Sequence, residues 1–143
     1  MDKNLLQICD HDGEGYRPLI DFGEWRVAIL RYQDSIHPGN IHSMERHKET
    51  DEVFVLTKGK SVLIIGGNGS QADQVYPQVM ETGKIFNVRR NTWHTILLSQ
   101  DAAVLIVENR NTDEHNSEHT NISHEQHILI MDLARRHLPE LLT

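Results

Sequence analysis

The sequence predicts an all-β domain, a sandwich or barrel of short antiparallel strands, followed by one C-terminal amphipathic helix. Short runs rich in Val, Ile and Leu alternate with Gly, Pro and Asn turn signals at fairly even spacing between residues 19 and 110. That pattern is typical of antiparallel β-architectures. After residue 123 the apolar residues recur every three or four positions instead, which indicates a helix. With 143 residues, the chain is expected to form one domain with a substantial core.

The predicted strands follow from these apolar runs and from the breaks between them. A polar segment at 41–47 is included because it can also be extended. Lys58-Gly59-Lys60 lies between two strongly apolar runs and predicts a tight hairpin. The predicted strands cover residues 20–22, 25–32, 41–47, 52–57, 61–65, 74–80, 84–88, 93–99 and 102–108.

Four segments are therefore expected along the chain. Residues 1–18 are polar and predict a loose N-terminal arm, and residues 19–110 form the β-barrel. Residues 111–122 are a polar connector, and residues 123–143 carry the helix. Ser123 and Gln126 fit a capping box, and Pro139 limits the regular helix to about residues 124–138.

Composition excludes several classes of protein. The net charge of −7 argues against a nucleic-acid partner, which would need a surplus of Lys and Arg on one face. No apolar run approaches the roughly 20 residues that span a bilayer, and no secretory signal is seen. Cys9 is the only cysteine, so no internal disulfide can form. A cytoplasmic protein without a membrane partner is expected.

Two histidines and two glutamates form the candidate site. In an extended strand Glu45 and His47 point to the same side, because side chains alternate. Glu52 begins a face that continues with apolar Phe54, and His94 likewise begins an apolar face. A polar residue on an inward face is costly unless it is paired or bound to a ligand. Both residues are therefore expected at the mouth of the barrel.

Imidazole and carboxylate donors suit divalent Fe, Mn, Ni, Co or Zn. Two His and two Glu would leave coordination positions for water or substrate. The alternative interpretation is equally simple, because a Glu in the charged segment ERHKETDE is most often solvated. Spacing alone leaves both open.

The same residues give the chain a resemblance to the cupin superfamily, small barrels of the RmlC and germin type. The first cupin motif places a His-x-His pair and a Glu between two glycines, and this chain matches at Gly39, His47, Glu52 and Gly59. The second motif begins with Gly and contains a later His, which match Gly83 and His94. The resemblance as a whole covers residues 25–109. The resemblance implies a double-stranded β-helix, or jelly-roll barrel. It also implies that His47, Glu52 and His94 are metal ligands.

The chain departs from both motifs. Glu45 replaces the first motif histidine, in a position where it can still coordinate a metal as the fourth ligand. In the second motif Arg89 replaces Pro and Asn91 replaces Gly, and Asn tolerates the left-handed turn conformation that Gly supplies. Arg89 could bind an anionic group of a substrate, and Phe54 and Phe86 are candidates for an apolar pocket wall.

Two functions remain open at this level. The first is a metal-dependent enzyme acting on a small polar metabolite, an isomerase, lyase or dioxygenase, with Glu45 or Glu52 as base. The second is a metal-free binding or sensing module, or a sugar-type isomerase that uses Glu45, His47 and His94 as acid and base. By resemblance a homodimer is expected. The C-terminal helix is a candidate to cover an exposed strand edge or to pack across the dimer interface.

Overall fold

The computed structural model describes all residues from Met1 to Thr143 and contains ten β-strands and one α-helix. The strands are β1 Gly15–Phe22, β2 Trp25–Arg31, β3 Ser43–His47, β4 Glu52–Lys58, β5 Ser61–Ile65, β6 Tyr76–Val79, β7 Ile85–Val88, β8 His94–Leu98, β9 Ala103–Asn109 and β10 Ser117–Asn121. The helix α1 is His124–His137, and short 3-10 helices lie at Asp34–Ile36, Pro38–Asn40, Glu114–Asn116 and Pro139–Leu142. None of the helices is long and apolar enough to cross a membrane.

The strands form two five-stranded antiparallel sheets. The first sheet has the order β1-β2-β9-β4-β7 and the second has the order β10-β3-β8-β5-β6. Strands that are consecutive in the chain often lie in different sheets, so the chain winds around both layers. This arrangement confirms the predicted jelly-roll barrel.

Two apolar clusters hold these layers together. One fills the barrel between the sheets and includes Phe54, Leu56 and Ile106. The other lies between the outer face of the second sheet and α1, where Trp93 packs in the same cluster as Ile130. The helix therefore covers the face of a sheet rather than a strand edge, and the outer face of the first sheet has no such cover.

The predicted hairpin at Gly59 is wrong. β4 pairs with β7 and β9, whereas β5 pairs with β6 and β8, so the turn carries the chain from one sheet to the other. Gly59 has φ +74°, and a Cβ there would lie 2.7 Å from the Ala102 Cα. The predicted tight turn between the two strands is present, but a tight turn does not by itself require the strands on either side to pair.

Strands extend beyond the predicted barrel at both ends. β1 begins at Gly15, inside the segment expected to be a loose arm, and pairs with β2. β10 lies inside the expected connector and pairs with β3. Its sequence SEHTN has no apolar residue, so no hydrophobic alternation marked it as a strand. The helix, by contrast, begins and ends within one residue of the prediction, with both capping-box hydrogen bonds present.

Candidate functional site

A cavity of about 450 Å³ opens between the two sheets. Its wall is acidic, since it contains five carboxylate side chains and neither Lys nor Arg. Histidines are the only basic side chains in it. The ionisable residues that line it are Tyr16, His42, Glu45, His47, Glu52, His94, Glu108, Asp113, Glu114 and His119.

The inner part of the cavity brings together three of the predicted residues. The His94 Nε2 lies 3.0 Å from the Glu52 Oε1, and the His47 Nε2 lies 3.2 Å from the same oxygen. The three residues come from β8, β4 and β3, and all three are buried. Strand alternation explains the inward direction of Glu52 and His94, each at the start of an apolar inner face.

The remaining ring nitrogens fix the orientation of both imidazoles. The His94 Nδ1 lies 2.9 Å from the Thr92 carbonyl oxygen, so it must carry the proton and donate it. The His47 Nδ1 lies 2.8 Å from the Ser117 hydroxyl on β10. Each ring therefore directs its Nε2 into the cavity. Such outer contacts are a usual feature of metal-binding histidines.

Charge coupling in this cluster is strong. Burial lowers the pKa of His47, but the nearby carboxylate of Glu52 outweighs burial and raises that pKa to about 9. The same balance raises the pKa of His94. Burial raises the pKa of Glu52, yet the two imidazoles outweigh it and hold that pKa well below its usual range. The cluster is therefore an ionised carboxylate beside two imidazoles that favour their protonated, positively charged form.

Glu45 reaches the same cluster from the open side. It lies on β3 directly opposite His94 of β8, and its Oε1 is 3.9 Å from the His47 Nε2. Its side chain is 43% exposed, in contrast to the buried Glu52. The predicted fourth residue therefore does face the cavity, in contact with solvent.

Glu108 also belongs to the site, and it is not among the predicted residues. It ends the inner face of β9 after Val104 and Ile106, and it is only 7% exposed. The Tyr16 hydroxyl donates a 2.6 Å hydrogen bond to its Oε1, and its Oε2 has no hydrogen-bond partner. Burial and the adjacent Glu52 raise the pKa of Glu108 to about 8. The rule that selected Glu52, a polar residue ending an apolar face, would have selected Glu108 as well.

The donor atoms fit a divalent metal. Two sets, one of Glu45, His47 and His94 and one of His47, Glu52 and Glu108, each hold their donor atoms within 4.8 Å of one another. Ligands about 2.1 Å from an ion lie roughly 3 to 4 Å apart, so small adjustments would close the shell. The His47 Nε2 is close to Glu52 but poorly aligned, which leaves it without a true hydrogen bond. Nitrogen and carboxylate donors favour a transition metal.

Of the other predicted pocket residues, one lines the cavity and two do not. Phe54 lines the cavity, with its ring edge-on to His94 at 6.0 Å between centroids. Phe86 packs against the inner core and Arg89 is exposed beside Asp51, so neither belongs to the cavity wall. Asn91 has φ +65°, the left-handed conformation expected where it replaces the motif glycine.

Comparison with known protein families gives one match that covers most of the chain. The model of the ureidoglycolate lyase family matches residues 11–129, which is most of the chain. A search of curated protein sequences finds no match.

Solved structures support the fold. A cupin-2 domain protein from Shewanella frigidimarina is 15% identical with a TM-score of 0.50, covering 72% of this chain and 85% of that protein. Streptomyces PAC13 with uridine is 10% identical with a TM-score of 0.51, covering 80% of this chain and 85% of that one. The capsular polysaccharide assembling protein CapF from Staphylococcus aureus is 18% identical with a TM-score of 0.54, covering 79% of this chain but only 31% of CapF.

Proposed function

We propose that this chain, which belongs to the ureidoglycolate lyase family, binds a divalent metal in its barrel and cleaves ureidoglycolate or a closely related small hydroxy acid. One observation carries the proposal. The imidazoles of His47 and His94 and the carboxylate of Glu52 converge on one point at the inner end of an open cavity. Clusters of this kind in a concave site are typical of catalytic centres.

His47, Glu52 and His94 would hold the ion, and Glu45 lies within reach of both imidazoles as a further ligand. When bound, a divalent ion supplies Lewis-acid polarisation of the substrate oxygens. The wall has no Lys or Arg to receive the carboxylate of a hydroxy acid. Positive charge for an anionic substrate must therefore come from the ion and from the imidazoles, which is a second reason to expect a metal here.

The bond rearrangement of such a lyase needs one proton to be moved. Ureidoglycolate carries a hydroxyl and a ureido nitrogen on the same carbon. Removal of the hydroxyl proton lets the oxygen form a carbonyl while the carbon–nitrogen bond breaks, and the departing nitrogen takes a proton to give urea. Glyoxylate remains. Glu45 is suited to take the hydroxyl proton and return it to the nitrogen, since its carboxylate faces the cavity and is partly solvated.

Metal analysis together with product assay tests this proposal. We expect tag-free protein to contain close to one transition-metal ion per chain and to release urea from ureidoglycolate. His94→Ala should lose both metal and activity, whereas Glu45→Gln should lose activity while the protein stays folded. The matched control is His124→Ala, because His124 is an exposed histidine outside the cavity. Urea release that is unchanged in His94→Ala would contradict the proposal.

A metal-free acid–base site is the second candidate. It is favoured by the short distances from the Glu52 Oε1 to the Nε2 atoms of His94 and His47, 3.0 and 3.2 Å, which suit direct proton exchange among the three groups. Such a site could isomerise, bind or sense a small polar molecule. Activity or ligand binding that persists after dialysis against a strong chelator would select this alternative, and loss on chelation with recovery on metal addition would reject it.

We also propose that two copies associate through the outer face of the first sheet. Register aligns Ile29, Leu105, Val55 and Ile85 in one row across four strands, and Ile85 is 74% exposed. The equivalent face of the second sheet is covered by α1. A second copy would bury this row against its own equivalent. Light scattering should give a dimer for wild type and a monomer for Leu105→Asp. An unchanged dimer would contradict this interface.

A further inference from the structure

We infer that Glu108 is a metal ligand, that it takes the position left by the missing motif histidine, and that Tyr16 positions it. The inference rests on the proposed function in one respect, the presence of a metal in the barrel. It differs from the sequence expectation, in which Glu45 was the fourth ligand.

Register places the two buried carboxylates side by side. β4 and β9 pair with Val53 opposite Val107, so Glu52 and Glu108 are neighbours on the inner face. Two carboxylates this close and this buried repel each other unless a proton or a cation lies between them. The His47 Nε2 and oxygens of both carboxylates lie within 4.8 Å of one another. A divalent ion at that point would remove the repulsion.

The hydrogen bonding of Glu108 leaves one oxygen for that ion. The Tyr16 hydroxyl occupies the Oε1 at 2.6 Å, and no group in the protein donates to the Oε2, although the residue is 7% exposed. A buried carboxylate oxygen without a donor is costly. Tyr16 thus holds the side chain in one orientation, in the manner of the outer partners that orient metal ligands.

Glu45 is the less suitable fourth ligand. Its side chain is 43% exposed, so water already satisfies its carboxylate. With Glu108 holding the ion beside His47 and Glu52, Glu45 is free to move a proton. The two glutamates therefore have separate roles, one in holding the ion and one in the reaction.

Metal affinity measured by chelator competition tests this assignment. Using Co²⁺ as probe, we expect Glu108→Gln to weaken binding roughly a hundredfold and to change the visible absorption spectrum, which reports coordination. Tyr16→Phe keeps the carboxylate and should weaken Co²⁺ binding about tenfold, as loss of an outer partner does. Glu45→Gln should leave both affinity and spectrum close to those of wild type. Glu118→Gln is the charge control, because Glu118 pairs with Arg46 outside the cavity.

The outcomes separate the inference from the proposed function. If wild type binds Co²⁺ and Glu108→Gln binds it equally well with the same spectrum, the inference is overturned while the metal site stands. A larger loss in Glu45→Gln than in Glu108→Gln would also overturn it. If wild type binds no Co²⁺, both fail. If Glu108→Gln does not fold, as judged by circular dichroism, Tyr16→Phe is the test. Weaker Co²⁺ binding by Tyr16→Phe would support the inference, and unchanged binding would overturn it.

Discussion

Two glycines of the cupin motifs allow a sharp test of how the sequence determines this fold. Gly59 and Gly83 both have positive φ, +74° and +85°. A Cβ at Gly59 would lie 2.7 Å from the Ala102 Cα and 2.8 Å from the Ala102 nitrogen, both backbone atoms. A Cβ at Gly83 would meet nothing within 4 Å. Alanine at Gly83 would therefore meet backbone strain alone, whereas alanine at Gly59 would meet the same strain and a steric clash.

Alanine should cost more at Gly59. The left-handed conformation costs about 1–2 kcal/mol for an L-residue. Alanine also reduces the conformational entropy of the unfolded chain, which stabilises the folded state by roughly 0.4–1 kcal/mol. Gly83→Ala should thus destabilise by about 1 kcal/mol. At Gly59 the backbone must also move, at a further cost of about 1–3 kcal/mol. We expect Gly59→Ala to lower the free energy of unfolding by roughly 2–4 kcal/mol.

Urea unfolding followed by tryptophan fluorescence measures this difference, since Trp93 is buried at 1% exposure. Both variants and wild type should be compared in chelator, so that metal binding does not contribute. Equal losses at the two positions would refute the reasoning, because they would mean that the contact with Ala102 adds nothing to the strain.

The remaining predictions concern the site. Ser117→Ala removes the hydroxyl beside the His47 Nδ1 and should weaken Co²⁺ binding about 10- to 100-fold in chelator competition, and unchanged affinity would contradict this. Metal-free protein should become less stable as pH rises from 5 to 9. The pKa of His47 is raised to about 9 and that of Glu108 to about 8, so the folded state holds protons that the unfolded chain has released. The free energy of unfolding measured in urea is expected to fall over this range, whereas stability that rises over it would show that the cluster does not retain those protons.

The strand and helix positions were predictable where apolar side chains carry the pattern. β5 has the predicted bounds, and the helix begins where Ser123 and Gln126 form their capping box. His94 was predicted to face inward because Ile96 and Leu98 share its face, and it does. In each case a local pattern and a burial requirement indicate the same answer.

Other features depend on contacts that leave no local pattern. β10 is polar and forms by pairing with β3, so it became visible only in the folded sheet, yet it supplies Ser117 to the site. The turn at Gly59 was recognised, but the partners of its strands are set by the winding of the whole chain. Glu108 does carry a local signal, since it ends the apolar inner face of β9, but it lies outside both cupin motifs.

The proposed function depends above all on a metal ion held by His47, Glu52 and His94. Crystals of tag-free protein, measured on both sides of a transition-metal absorption edge, test it most directly. We expect one anomalous peak within about 2.0–2.3 Å of both Nε2 atoms and of a carboxylate oxygen. No peak there in protein that still releases urea from ureidoglycolate in the presence of chelator would contradict it.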